Sequence, residues 1–148
     1  MQNPEEVRSI AAYIVERLPA SFRPKLGLVC GTGFGELAEM FRCVGHLPFA
    51  DIPGFPSATV EAHAGCFVAA HLGETPVLLQ LGRCHLYEGY TPEQVCLGVR
   101  VAHALGVRSL VLANAAGCLN PQWEAGDLML IADHINCTGT SPLIGSNH

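Results

Sequence analysis

The chain has 148 residues, a formal net charge of −5 and seven cysteines. A compact fold of this size exposes about 7,300 Å² and buries about two-thirds of its unfolded surface, enough for one core and one domain. With 14% charged residues and a mean hydropathy of +0.31 it is too apolar for intrinsic disorder, and a pI near 5.7 leaves no basic stripe for sequence-independent nucleic-acid binding.

The first segment is an amphipathic helix. Asn3 is placed to cap it, Pro4 suits the first helical position, and Glu6 sits where a capping box places a carboxylate. Val7, Ile10, Ala11, Ile14, Val15 and Leu18 then form one apolar stripe of period 3.6. Leu26 to Cys30 is apolar throughout, as a strand covered on both faces would be, and runs into Gly31-Thr32-Gly33-Phe34-Gly35. A short helix over about 36–41 and a strand over 44–49 follow. The loop over 51–57 holds two prolines and a glycine. Cys66 to Leu72 and Pro76 to Leu81 form a hairpin around a three-residue loop, Gly73-Glu74-Thr75. Residues 82–90 are a loop. Thr91-Pro92-Glu93-Gln94 opens a second helix through a capping box, with Val95, Val99, Ala102 and Leu105 as its inner face and Gly106 as its stop. Ser109 to Ala113 is a strand ending in Asn114-Ala115-Ala116-Gly117, and Asp127 to Ile135 is another. The order predicts one α/β domain over 1–148, a twisted, mixed β-sheet flanked by helices. Residues 139–148 have loop composition, so the fold is expected to be incomplete at its C-terminal end.

Four stretches carry residue types suited to chemistry. Strand, Gly31-x-Gly33-x-Gly35, helix is the arrangement of an anion-binding loop, although a plain glycine turn has the same composition. It matches neither the dinucleotide fingerprint nor a Walker A loop. Gly82-Arg83-Cys84-His85-Leu86-Tyr87-Glu88-Gly89-Tyr90 gathers a guanidinium, an imidazole, a phenol and a carboxylate within a glycine-bounded loop. Arg forks onto phosphate oxygens, His donates or moves a proton near neutral pH, and Tyr bonds a sugar hydroxyl while its ring packs on the sugar. A polar surface loop with a local ion pair is the alternative. His63 precedes a strand, and 114–117 follows one, where open α/β sheets bind ligands; each also suits a structural role. Cys84 lies between Arg83 and His85, whose charges would lower a thiol's pKa, but no third residue orients a base.

The cysteines (30, 43, 66, 84, 96, 118 and 137) are odd in number and contain no C-x-x-C pair, so reduced cytosolic thiols are expected, not a disulfide framework or zinc ribbon. No His/Cys spacing suits a metal. No run of 18 apolar residues and no signal-peptide pattern is present, so a cytoplasmic location without a membrane partner is expected.

Five motifs in order carry a resemblance: Cys-Gly-Thr-Gly-Phe-Gly at 30–35, His-Ala-Gly at 63–65, Gly-Arg-Cys-His-Leu-Tyr-Glu-Gly-Tyr at 82–90, Asn-Ala-Ala-Gly-Cys-Leu-Asn at 114–120 and Gly-Asp-Leu-Met-Leu-Ile-Ala-Asp-His-Ile-Asn at 126–136. Together the chain resembles the N-terminal half of the trimeric purine nucleoside phosphorylases. The resemblance implies phosphorolysis of purine (deoxy)ribonucleosides to free base and (deoxy)ribose 1-phosphate in purine salvage. It implies inorganic phosphate as co-substrate, no metal or organic cofactor, and a homotrimer for the full-length form. By position, Thr32, His63, Arg83, His85 and Ala115 match phosphate-site residues. Tyr87 matches the ribose-packing residue, and Glu88 a carboxylate that orients the phosphate site, with His85 and Glu88 the catalytic pair. The sequence departs from the family's pattern at Thr32, usually Ser, at Cys84, often Phe, and at Cys118, often Gly, where a side chain would strain a turn needing positive φ. The base-binding Glu and Asn belong to the family's other half. The resemblance therefore also admits a catalytically silent short form that keeps a phosphate pocket or binds full-length subunits, and a methylthioadenosine phosphorylase.

Overall fold

The computed structural model describes residues 3–31, 40–56 and 65–145. Helix α1 spans Pro4–Val15, with the Asn3 side chain accepting from the Glu5 N–H as expected of the cap. Strands β1 (Leu26–Cys30), β2 (Arg42–Pro48), β3 (Cys66–Leu72) and β4 (Thr75–Leu81) precede helix α2 (Pro92–Ala104), and β5 (Ser109–Leu112) follows it. Short 3-10 turns occupy Phe49–Asp51 and Leu86–Glu88. Thr91 and Gln94 close the reciprocal capping box of α2.

The five strands form one mixed sheet in the order β2-β3-β4-β1-β5. β2, β3 and β4 are antiparallel neighbours, whereas β4, β1 and β5 run parallel. Leu72 pairs with Thr75, so the hairpin loop has two residues, Gly73-Glu74, not three. The chain from β4 through α2 to β5 crosses over β1, and the carboxyl ends of β4, β1 and β5 therefore share one edge. That edge is where a parallel sheet offers strand-end backbone to a ligand.

Period-two alternation divides the sheet's side chains between two packed layers. One face carries Leu47, Phe67 and Leu78 against Val7, Ile10, Ala11 and Ile14 of α1 and Leu97, Val101 and Ala102 of α2. Both described helices thus lie on the same face. The opposite face holds Cys66, Val68, Ala70, Val77 and Leu79, with Phe41 packed against them. Two details of the helix faces differ from the periodic reading. Val15 is half exposed, so the buried arc of α1 ends at Ile14. Val99 is exposed, and α2 buries Leu97, Gly98, Val101 and Ala102, because it is rotated to set Gly98 on the sheet.

The expected strand over Asp127–Ile135 does not form. Residues 113–145 contain neither helix nor strand, and Leu119, Leu128, Leu130 and Ile135 are almost fully exposed. A strand exists only through a neighbouring ladder that takes its N–H and C=O groups, and no described segment supplies one here. β5, next in the sheet, is accordingly an edge strand with Val111 and Leu112 exposed. The chain exposes 9921 Å², well above the ~7,300 Å² of a compact monomer of its mass. The helix expected over 36–41 falls largely outside the described residues, except that Met40 and Phe41 are not α-helical.

Candidate active site

Arg83 lies across the shared carboxyl edge of the three parallel strands. It leaves β4 through Gly82, passes Gly31 at the end of β1, and its Nη1–H donates to the Ala113 carbonyl just beyond β5 at 2.9 Å. Gly31 makes this path possible. A Cβ there would stand 3.0 Å from Arg83 Nη2 and 3.1 Å from the Ala113 oxygen, tighter than ordinary van der Waals contact. The Ala113 N–H in turn donates to the Val29 carbonyl at 3.0 Å, which ties the acceptor to β1.

The guanidinium is held at its other end by a short relay. Arg83 Nε–H donates to His85 Nε2 at 3.2 Å. A guanidinium only donates, so Nε2 is an acceptor and the ring proton is on Nδ1. Nδ1–H donates to Glu88 Oε1 at 2.5 Å, and the same oxygen accepts from the His85 backbone N–H at 3.0 Å. The Leu86–Glu88 turn brings this carboxylate back onto its own N-cap residue, and left-handed Gly89 ends it. Carboxylate, imidazole and guanidinium thus form one chain whose tautomer is fixed by its two ends, as a second-row partner fixes a histidine. Glu88 is nearly buried and His85 is part-buried. Tyr87 stacks on the His85 ring, centroids 4.7 Å apart and planes 15° from parallel, while 84% exposed. Its outward face is a free aromatic surface beside the cationic group.

Arg83 uses two of its five N–H groups on described residues, so the rest can fork onto an anion. The structure therefore brings Arg83, His85, Tyr87 and Glu88 together. Thr32 and His63 lie outside the described residues. Ala115 is exposed two residues past Ala113, its carbonyl accepting from the Asn114 side chain at 3.1 Å. Cys84 points away from this chain and is buried, its thiol 4.0 Å from the Pro56 carbonyl. Burial first and the Glu88 charge second push this thiol up, with a Tyr90 hydrogen bond acting the other way. The lowering expected from Arg83 and His85 is thus reversed, and Cys84 is no activated nucleophile. Cys118 is exposed and does not occupy positive φ, so the strain expected there is absent.

One contact of the site escaped the sequence reading: the Ala113 carbonyl left no signal, because every residue carries one.

A guanidinium held across the strand ends of a mixed sheet describes an α/β protein with a cationic candidate site, and comparison with known proteins gives its family. Residues 25–148 match the model of the phosphorylase superfamily, and the chain belongs to that family. It is 48% identical over 143 residues to purine nucleoside phosphorylase 1 of Bacillus subtilis, covering 97% of this chain and 52% of that one. To the purine nucleoside phosphorylase of Mus musculus it is 40% identical over 146 residues, covering 97% of this chain and 50% of the mouse protein. The crystal structure of the Schistosoma mansoni purine nucleoside phosphorylase in complex with acetate superposes with a TM-score of 0.77 at 38% identity, over 84% of this chain and 45% of that one. The same parasite's enzyme in complex with inosine gives 0.74 at 36% identity, over 84% and 43% of the two chains. The chain spans about half the length of the relatives it matches.

Proposed function

We propose that this chain supplies the phosphate- and ribose-binding part of a purine nucleoside phosphorylase. The reaction is phosphorolysis of purine (deoxy)ribonucleosides to free base and (deoxy)ribose 1-phosphate, with inorganic phosphate as co-substrate and no metal or organic cofactor. The observation that carries it is Arg83 spanning the carboxyl ends of β4, β1 and β5 while anchored to His85 and Glu88. In the reaction the bond from the anomeric carbon to the purine nitrogen breaks as a phosphate oxygen bonds that carbon. Charge on the sugar then resembles an oxocarbenium ion, so a held and aimed anion lowers the barrier by position and electrostatics.

Each residue takes a part that its chemistry allows. The N–H groups of Arg83 not used on described residues donate to phosphate oxygens, joined by Thr32, His63 and the backbone at Ala115. His85 holds the guanidinium through Nε2 beside the anion and is itself oriented by Glu88 through Nδ1–H. The open face of Tyr87 packs on the ribose. Purine contacts come from the half of the relatives that this chain does not span. A homotrimer and a cytoplasmic location belong to the same proposal; no described helix is long and apolar enough to cross a membrane. The purine nucleoside reading is preferred to the methylthioadenosine one because the similar proteins are named purine nucleoside phosphorylases.

The test is titration of inorganic phosphate into the 148-residue chain, followed by ³¹P NMR. Saturable binding that Arg83→Ala removes supports the proposal. A parent chain with no saturable response overturns it.

A further inference from the structure

Gln80 is the only buried polar or charged residue among those described, 8% exposed at the end of β4. It shares the helix-facing side of β4 with Leu78, where an apolar side chain would pack equally well. Burying an amide is unfavourable unless its hydrogen bonds are met. The bond it makes is specific: Nε2 donates to the Gly82 carbonyl at 3.1 Å. Gly82 has φ +83 and is the residue through which β4 turns into Arg83.

The helix above is shaped to the same amide. Gly98 of α2 lies directly over it, and a Cβ on Gly98 would stand 2.3 Å from Gln80 Oε1 and 2.9 Å from its Cδ. No side chain fits there unless the amide moves. Gly98 inside a helix and Gln80 inside a core are each unfavourable alone, and each accounts for the other.

We propose that Gln80 is a positioning residue for the anion site, seated by Gly98. By pinning the Gly82 carbonyl it fixes the departure of the 82–88 loop, and hence the reach of Arg83 to both His85 and the Ala113 carbonyl. Its role in phosphate affinity rests on the phosphorylase reading above. Its role in holding Arg83 and His85 does not.

The experiment uses two readouts on the whole chain. The first is ¹⁵N NMR of the His85 ring and the Arg83 Nε–H. The parent is expected to show a single tautomer with the proton on Nδ1 and a protected Nε–H. Gln80→Met keeps size but removes the donor, and Gly98→Ala displaces the amide. Both are expected to average the ring signals and speed Nε–H exchange. Adding Gly98→Ala to Gln80→Ala is expected to change nothing further, because the crowded atoms are gone. The second readout is phosphate affinity, expected to fall about tenfold in each single variant, the scale of one hydrogen bond. Folded Gln80→Met with the parent's ring pattern overturns the proposal. A parent that shows the fixed tautomer but binds no phosphate refutes the phosphorylase reading and leaves the ring pattern to decide the role of Gln80.

Discussion

Arg83→Lys isolates what the strand-end guanidinium does. The substitution keeps one positive charge and nearly the same length. Arg83 makes two directed bonds from one rigid plane, to His85 Nε2 and to the Ala113 carbonyl, and still presents N–H groups to an anion. A lysine ammonium is a point donor on a flexible stem and cannot serve both anchors and a bidentate oxygen pair together. At least one charge-assisted bond is lost, worth about 1.5–3 kcal/mol, which corresponds to phosphate affinity weaker by roughly 10- to 150-fold. The assay is isothermal calorimetry with inorganic phosphate at fixed ionic strength, with sulfate as competitor and thermal unfolding as a control for the fold. A folded Arg83→Lys chain that binds phosphate within twofold of the parent would refute the reasoning, since net charge and not the fork would then hold the anion.

Other outcomes follow from the same structure. The thiols of Cys30, Cys66 and Cys84 are raised by burial, so little thiolate is present near neutral pH; iodoacetamide and mass spectrometry should find exposed Cys43, Cys118 and Cys137 labelled first, with the buried three following only at more alkaline pH or on unfolding. The exposed edge of β5 should make the chain self-associate with rising concentration; light scattering is expected to show less association for Val111→Lys, and equal behaviour would rule out the edge as the cause. Ile14→Ala empties a fully buried site between α1 and the sheet and should cost about 2–5 kcal/mol by urea denaturation. Incubated alone with inosine and phosphate, the chain is expected to release no hypoxanthine, whereas phosphate-dependent release would mean that its own residues handle the purine.

Much of the local structure was legible because it depends on near neighbours in the chain. The caps at Asn3 and Thr91, the stripe Val7–Ile10–Ala11–Ile14 and the two hairpin strands need only propensity, period and a turn. The residue types at 83, 85, 87 and 88 likewise marked a candidate site, and the structure brings those four side chains together.

Tertiary structure decided the rest. Which face of α2 turns inward was decided by packing against the sheet, where Leu97, Val101 and Ala102 join the core and Gly98, not Val99, lies against Gln80. The run over 127–135 has the composition of a strand, but a strand needs a partner ladder, and composition cannot supply one. Arg83 reaches Ala113, thirty positions away, because a crossover over β1 makes three strand ends neighbours. Cys84 is buried with its thiol toward the Pro56 carbonyl, and burial reverses the pKa direction that its charged sequence neighbours imply. Sequence specified which groups could bind an anion. Only the parallel pairing of β4, β1 and β5 aimed them, because the direction of a side chain belongs to the backbone that carries it.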